Sequence, residues 1–239
     1  MYSAAMARTI PPDRFQQLVD CATRVFIEQG YARTQMADVA EAMGIAKGTL
    51  YLYVESKEAL YDLVLRCADS QEAFETPAKL PLPTPKPGAT LQYVRKRLRD
   101  QVPLPALLTA LGRERVADAP GELATIVREI YGTLSRNRHA IKLGDGSAQF
   151  HPDLAAVWFE GGRGTLVEAL ARYLETRIRR KLFRAVPDAN VAARVIVETI
   201  VTWAVHRHWD PSPQVLDDKI VEETVIQFVL GGLLKEVKS

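Results

Sequence analysis

TQMADVAEAMGIAKGTLYLYVESK, residues Thr34 to Lys57, spaces its apolar side chains as two short helices around a tight turn, with a third helix starting at its end. Thr34 can cap the first of these by accepting from a first-turn amide, and Asp38 sits near that helix's positive end. Gly44 supplies the positive φ that such a turn needs, and Ala40 is small enough for two helices to touch. Val39, Met43, Ile45, Leu50 and Tyr53 then fall where a three-helix core needs them. The third wall is the preceding helix, with Phe15, Leu18, Val19, Ala22 and Phe26 on one face and Gly30 at its end. The pattern predicts a helix-turn-helix whose second helix, about Lys47 to Val54, exposes Lys47, Thr49, Tyr51 and Leu52. Gly48 near its start leaves little bulk between backbone and DNA. Lysine and threonine reach phosphates or base edges, and tyrosine donates to phosphate or packs on a thymine methyl.

The chain has 239 residues, 47% hydrophobic, with a formal net charge of +2, enough for one large or two modest cores and too apolar for wholesale disorder. Residues 1–70 carry seven basic and nine acidic side chains, so attraction to DNA must come from local placement. Cys21 and Cys67 lack metal-ligand spacing and suit a reducing compartment as small buried residues. No stretch has the length of a signal peptide's apolar core or of a membrane span, and a soluble cytoplasmic protein is expected.

Outward from the opening stretch, residues 1–11 read as a flexible arm containing Arg8, with Pro11 and Pro12 at a helix entry. Residues 12–56 form the helix-turn-helix unit. Ser56 caps a connecting helix over 57–76. Five prolines between Pro77 and Pro87 make 77–88 a stiff extended linker. Residues 89–239 read as helices broken at Pro103 and Pro105, at Pro120, over the loop 142–153, at Pro187 and at Asp210 to Pro213. No run alternates with period two, so an all-α protein of about ten helices is expected.

The residues FIEQGYARTQM and VAEAMGIAKGTLYLYVESKEAL, with their Gly-Thr-Leu-Tyr segment and Ser-Lys pair, resemble the TetR family of transcriptional regulators over about residues 10–65. The resemblance implies that Thr34 and Lys57 hold phosphates, that Tyr51 and Tyr53 contact the DNA backbone, and that Lys47, Gly48 and Thr49 face the major groove. It also implies an all-helical C-terminal domain for ligand binding and dimerisation. Ala46 departs from the hydroxyl cap often found at the recognition helix, and Val54 from the usual Phe.

In that helical domain a mostly apolar effector pocket is expected between helices, and Tyr131, Trp158, Phe159, Glu160, Arg163 and Trp203 are the candidates. Residues 188–209 are apolar almost all round, and 214–235 carry a second apolar set with Gly231 and Gly232. Val191, Val195, Ile196, Ile200, Val221, Val225, Phe228, Val229 and Gly232 are therefore expected at a homodimer's four-helix interface. The run YVRKRLR (93–99) reads as a solvated helix face. No nucleophile with a base, phosphate loop or metal set stands out: GDGS lacks the nucleophile-elbow pattern, and His206 and His208 point to different sides of a helix. No enzyme activity, cofactor or metal is expected. The expectation is a homodimeric repressor that reads a palindromic operator in double-stranded DNA and is released by a small molecule. The competing expectation is a helical adaptor that binds proteins through the proline-rich segment or its basic faces.

Overall fold

The computed structural model describes residues 12–67, 69, 77–101, 104–147, 152–212 and 214–235. The expected arm at 1–11, and residues 68 and 70–76 of the expected connecting helix, lie outside them. Three helices build the N-terminal head: α1 (Pro12–Gln29), α2 (Met36–Ala42) and α3 (Lys47–Leu50). Phe15, Leu18, Val19, Ala22 and Phe26 are all buried, as the spacing of α1 requires, and meet Val39, Met43, Leu50 and Tyr53 in one core. Each such side chain removed from water contributes roughly 1.5–3 kcal/mol. Gly30 and Gly44 take φ of +77° and +66°, conformations that a Cβ would strain.

Two local expectations are corrected here. The cap of α2 is Gln35, not Thr34: the Asp38 carboxylate accepts from the Gln35 amide at 2.7 Å, while the Thr34 hydroxyl turns back and donates to the Gly30 carbonyl at 2.9 Å. The recognition helix is also shorter than two turns. After Leu50 the chain passes into a tighter turn, with Leu52 and Tyr53 donating three residues back to Thr49 and Leu50. Ala46 has no side-chain oxygen to firm the start of α3.

The helix α4 (Lys57–Cys67) starts where the Ser56 hydroxyl accepts from the Ala59 amide at 3.1 Å. The proline-rich segment then returns to the head. Leu82 donates to the Tyr53 carbonyl at 2.8 Å and accepts from the Glu55 amide at 2.9 Å. Thr84 adds bonds to the Glu55 carboxylate and the Ser56 hydroxyl. The linker over 77–88 is thus a strap fastened to the end of the recognition segment.

The strap leads into α5 (Ala89–Gln101), followed by α6 (Pro105–Gly112), α7 (Ala119–Arg136) and α8 (Arg138–Ser147). The expected loop over 142–153 is helical as far as Ser147. Glycines serve close packing there: a Cβ on Gly144 would stand 2.7 Å from Trp158 Nε1, and the Gly146 carbonyl would lie 3.5 Å from a Cβ on Gly30. A short helix α9 (Pro152–Ala156) runs into a π-helical segment, Val157–Gly164, before α10 (Thr165–Arg179). Helices α11 (Ala189–Ala204) and α12 (Asp218–Leu233) complete the body, with a 3-10 turn at His206–Trp209 between them.

The body's core gathers α6, α7, α10, α11 and α12. At its centre Arg177, in the last turn of α10, is fully buried. Its guanidinium bonds the Glu122 carboxylate and the Ala110 carbonyl at 2.8 and 2.7 Å and lies 4.8 Å from the Tyr173 ring centre. The head's core is not closed off from the body, since Val94, Leu143, Leu154 and Val157 join it.

Candidate nucleic-acid interface and effector cavity

The outer surface of the head is formed by Lys47, Gly48, Tyr51 and Leu52, all exposed, with Thr49 half-buried beside them. An added Cβ on Gly48 would meet nothing within 4 Å. No packing inside the protein therefore requires a glycine there, whereas a close external surface would. Thr34, Tyr53 and Lys57 are placed inward. Thr34 is 1% exposed, and the Tyr53 ring is buried 6.3 Å from that of Phe15. The Lys57 ammonium donates to the carbonyls of Tyr31, Ala32 and Thr34 at 2.9, 3.4 and 3.0 Å. Thr34 and Lys57 thus spend their polar groups on carbonyls of the head itself, and the Tyr53 ring packs in its core.

Beneath the head lies a cavity of about 880 Å³, within the range of small-molecule sites. Four predicted pocket residues, Trp158, Phe159, Glu160 and Arg163, line it. All four belong to the π-helical segment Val157–Gly164, a rare geometry that is frequent at functional sites. Tyr131 and Trp203 are not in the lining: Tyr131 is buried in the core and its hydroxyl donates to the Trp203 carbonyl at 3.4 Å. The opposite wall is α5, with Val94, Arg95, Arg97, Leu98 and Arg99. Reading 93–99 as a solvated face missed it, although Leu91, Val94 and Leu98 already carried the helical spacing of a buried stripe. Leu65, at the far end of α4 from Lys57, completes the contact with the head.

Two lining donors, Trp158 Nε1 and Arg163 Nε, are buried without a partner among the described residues. Burial raises the Asp145 carboxyl above its usual range, against the opposing positive charges of His206, Lys142 and Arg163. Burial also pushes the Cys67 thiol up to about 11, which leaves it a weak nucleophile. Among the described residues no three His, Cys, Asp or Glu side chains gather at metal-binding distance, and no helix is long and apolar enough to cross a membrane.

The predicted interface residues divide. Ile196, Ile200, Val221, Val225 and Val229 are buried within the protomer and belong to its core. Val191, Val195 and Phe228 are 62%, 59% and 78% exposed, and Gly232 is half-buried. Ile220 and Trp203, not anticipated there, join the exposed apolar set on α11 and α12.

A helix-turn-helix head with an open outer face, mounted on a helical body that encloses a cavity, defines a DNA-binding regulator. Residues 18–64 match the family model described as bacterial regulatory proteins, tetR family, so the head is a DNA-binding domain of that family's kind. The chain is 25% identical over 220 residues to the HTH-type transcriptional repressor KstR2 of Rhodococcus jostii (strain RHA1), covering 92% of this chain and 91% of that one. The structure of the ketosteroid transcriptional regulator KstR2 of Mycobacterium tuberculosis shares the fold, with a TM-score of 0.57 at 21% identity over 97% of this chain and 100% of that one. AibR, solved in complex with isovaleryl coenzyme A and operator DNA, gives 0.53 at 16% identity, covering 91% and 98% of the two chains.

Proposed function

We propose that the protein is a homodimeric repressor whose grip on a palindromic operator is controlled by a small molecule in the cavity. The observation that carries this is α4: Lys57, at one end, holds the loop that precedes the helix-turn-helix, and Leu65, two turns on, lines the cavity. A ligand that displaces the cavity end of α4 moves the head. A second link runs from the lining residues of α5 back through the strap to Tyr53 and Glu55.

On this reading Lys47, Thr49, Tyr51 and Leu52 meet the major groove and its flanking phosphates, and Gly48 admits the DNA backbone. The exposed apolar stripe on α11 and α12 pairs with its symmetry mate, since an uncovered patch of this kind marks an interface. Pairing would set two heads about one helical turn apart, roughly 34–36 Å. The ligand would favour dimers with the wrong spacing, and release follows from its differential affinity for the two states. AibR, solved with isovaleryl coenzyme A and operator DNA bound, supports a shared fold serving both kinds of ligand.

Electrophoretic retardation of the DNA upstream of the protein's own gene tests the proposal. The wild type should retard it specifically, and Lys47→Ala should bind more weakly with a salt slope shallower by about 1. Failure to discriminate that DNA from a scrambled duplex would sink the operator assignment.

A further inference from the structure

The cavity's charges are unevenly matched. Arg95, Arg97, Arg99 and Arg163 line it with two carboxylates, Asp145 and Glu160, while Arg99 is paired with Asp100 at 3.1 Å and Arg163 reaches Glu198, both outside the lining. Arg97 is half-buried, and its guanidinium donates to the Leu65 carbonyl and the Asn137 side-chain oxygen at 2.9 and 3.0 Å, both neutral acceptors. No carboxylate among the described residues pairs with it. Arg163 shares Glu198, at 3.5 Å, with Arg194, and its own Nε has no partner. A cation withdrawn from water without a counter-charge is costly unless an anion completes it. The remaining wall is apolar, with Leu107, Ile130, Val157 and Val201 buried around it.

From this juxtaposition we infer that the effector is an amphipathic anion, its carboxylate or phosphate head held by Arg97 and Arg163 and its hydrocarbon body filling the apolar wall. The inference rests on the cavity being the effector site. A cationic amphiphile would face Arg97, which has no carboxylate, and the under-matched Arg163, and a sugar would leave its hydroxyls without partners along the apolar wall. An anion satisfies both the unmatched charge and the spare donors, and planar guanidinium groups suit bidentate contact with carboxylate or phosphate.

Calorimetric titration of the full chain with dodecanoate, dodecan-1-ol and dodecylammonium, all below micelle formation, tests it. Dodecanoate should bind at least about tenfold more tightly than either competitor, the scale of a charge-assisted bond. In Arg97→Gln and Arg163→Gln the preference for dodecanoate should shrink while dodecan-1-ol binds as before, which also reports that the fold is kept. Equal or tighter binding of the alcohol or the ammonium compound by the wild type would overturn the anionic class and leave the cavity reading standing. An unchanged preference in both variants would overturn the arginine assignment. Binding of none of the three would overturn the cavity reading itself, and this proposal with it.

Discussion

Lys57 meets Tyr31 twice: its ammonium donates to the Tyr31 carbonyl at 2.9 Å and stands 4.4 Å from the centre of the same residue's ring. The two lie at the seam where α1 ends and α4 begins. There the ammonium satisfies three carbonyls of the loop between α1 and α2, which no helix or strand would otherwise pair. Burial, followed by the Glu58 carboxylate, raises the Tyr31 phenol well above its ordinary value, so it stays neutral as a donor to Glu58.

Lys57→Ala should therefore act through the fold. Loss of charge-assisted bonds to carbonyls predicts a stability drop of about 1.5–3 kcal/mol in urea denaturation. Operator affinity should weaken because the loop before α2 shifts. The salt slope of binding should stay as in the wild type, because the ammonium neutralises no phosphate. A slope shallower by about 1 would return Lys57 to the DNA surface.

Phe228→Asp combined with Val195→Asp places carboxylates on the exposed stripe without touching the protomer's core. Sedimentation at micromolar concentration should show a monomer in place of a dimer, with helical content unchanged by circular dichroism. Operator binding should be lost along with the dimer. A variant that still sediments as a dimer would rule this face out as the interface.

The Arg177–Glu122 pair is fully withdrawn from solvent on the arginine side. Removing Arg177 leaves the buried Glu122 carboxylate with only the exposed Arg113 at 3.4 Å, so Arg177→Met should cost about 3 kcal/mol by denaturation. The double variant Arg177→Met with Glu122→Met should recover much of that loss, because no buried charge is left alone. A double variant no better than the single one would assign the effect to packing against Tyr173.

His208 lies beside Arg138, whose Nη1 is 2.6 Å from Nε2. Burial first, and then the charges of Arg138, Arg207 and His139, hold its pKa down to about 4 from an ordinary 6.5. Between these values the unfolded chain takes up a proton that the folded protein refuses. Stability should therefore fall as pH drops through this window and level off below it. His208→Gln should flatten that part of the profile of unfolding midpoint against pH. An unaltered profile would place the titration elsewhere.

What could be read from the chain depended on distance along it. The buried stripe of α1, the turn at Gly44 and the cap at Ser56 all follow from neighbours within a few residues, where helical spacing leaves one solution. The orientation of Lys57 was not legible, because its partners are carbonyls more than twenty residues earlier, and the Thr34 hydroxyl had two local choices, a cap on α2 or the Gly30 carbonyl four residues back. The strap was equally hidden: five prolines exclude a helix but say nothing about which backbone Leu82 will pair with. In α11 and α12, apolar residues on almost every side marked burial in general. Only packing against α7, α10 and each other separated Ile196 and Val225 of the core from Val195 and Phe228 of the surface.

By itself the sequence determined an all-helical protein with a helix-turn-helix head, since both rest on local periodicity and on glycines at positions needing positive φ. Tertiary structure decided what that head answers to. Leu65 of α4, the arginines of α5 and the π-helical turn come from separate parts of the chain, and packing alone brings them around one cavity. The unmatched charge of Arg97 exists only there, because folding withdraws its guanidinium partly from water and offers it only neutral acceptors.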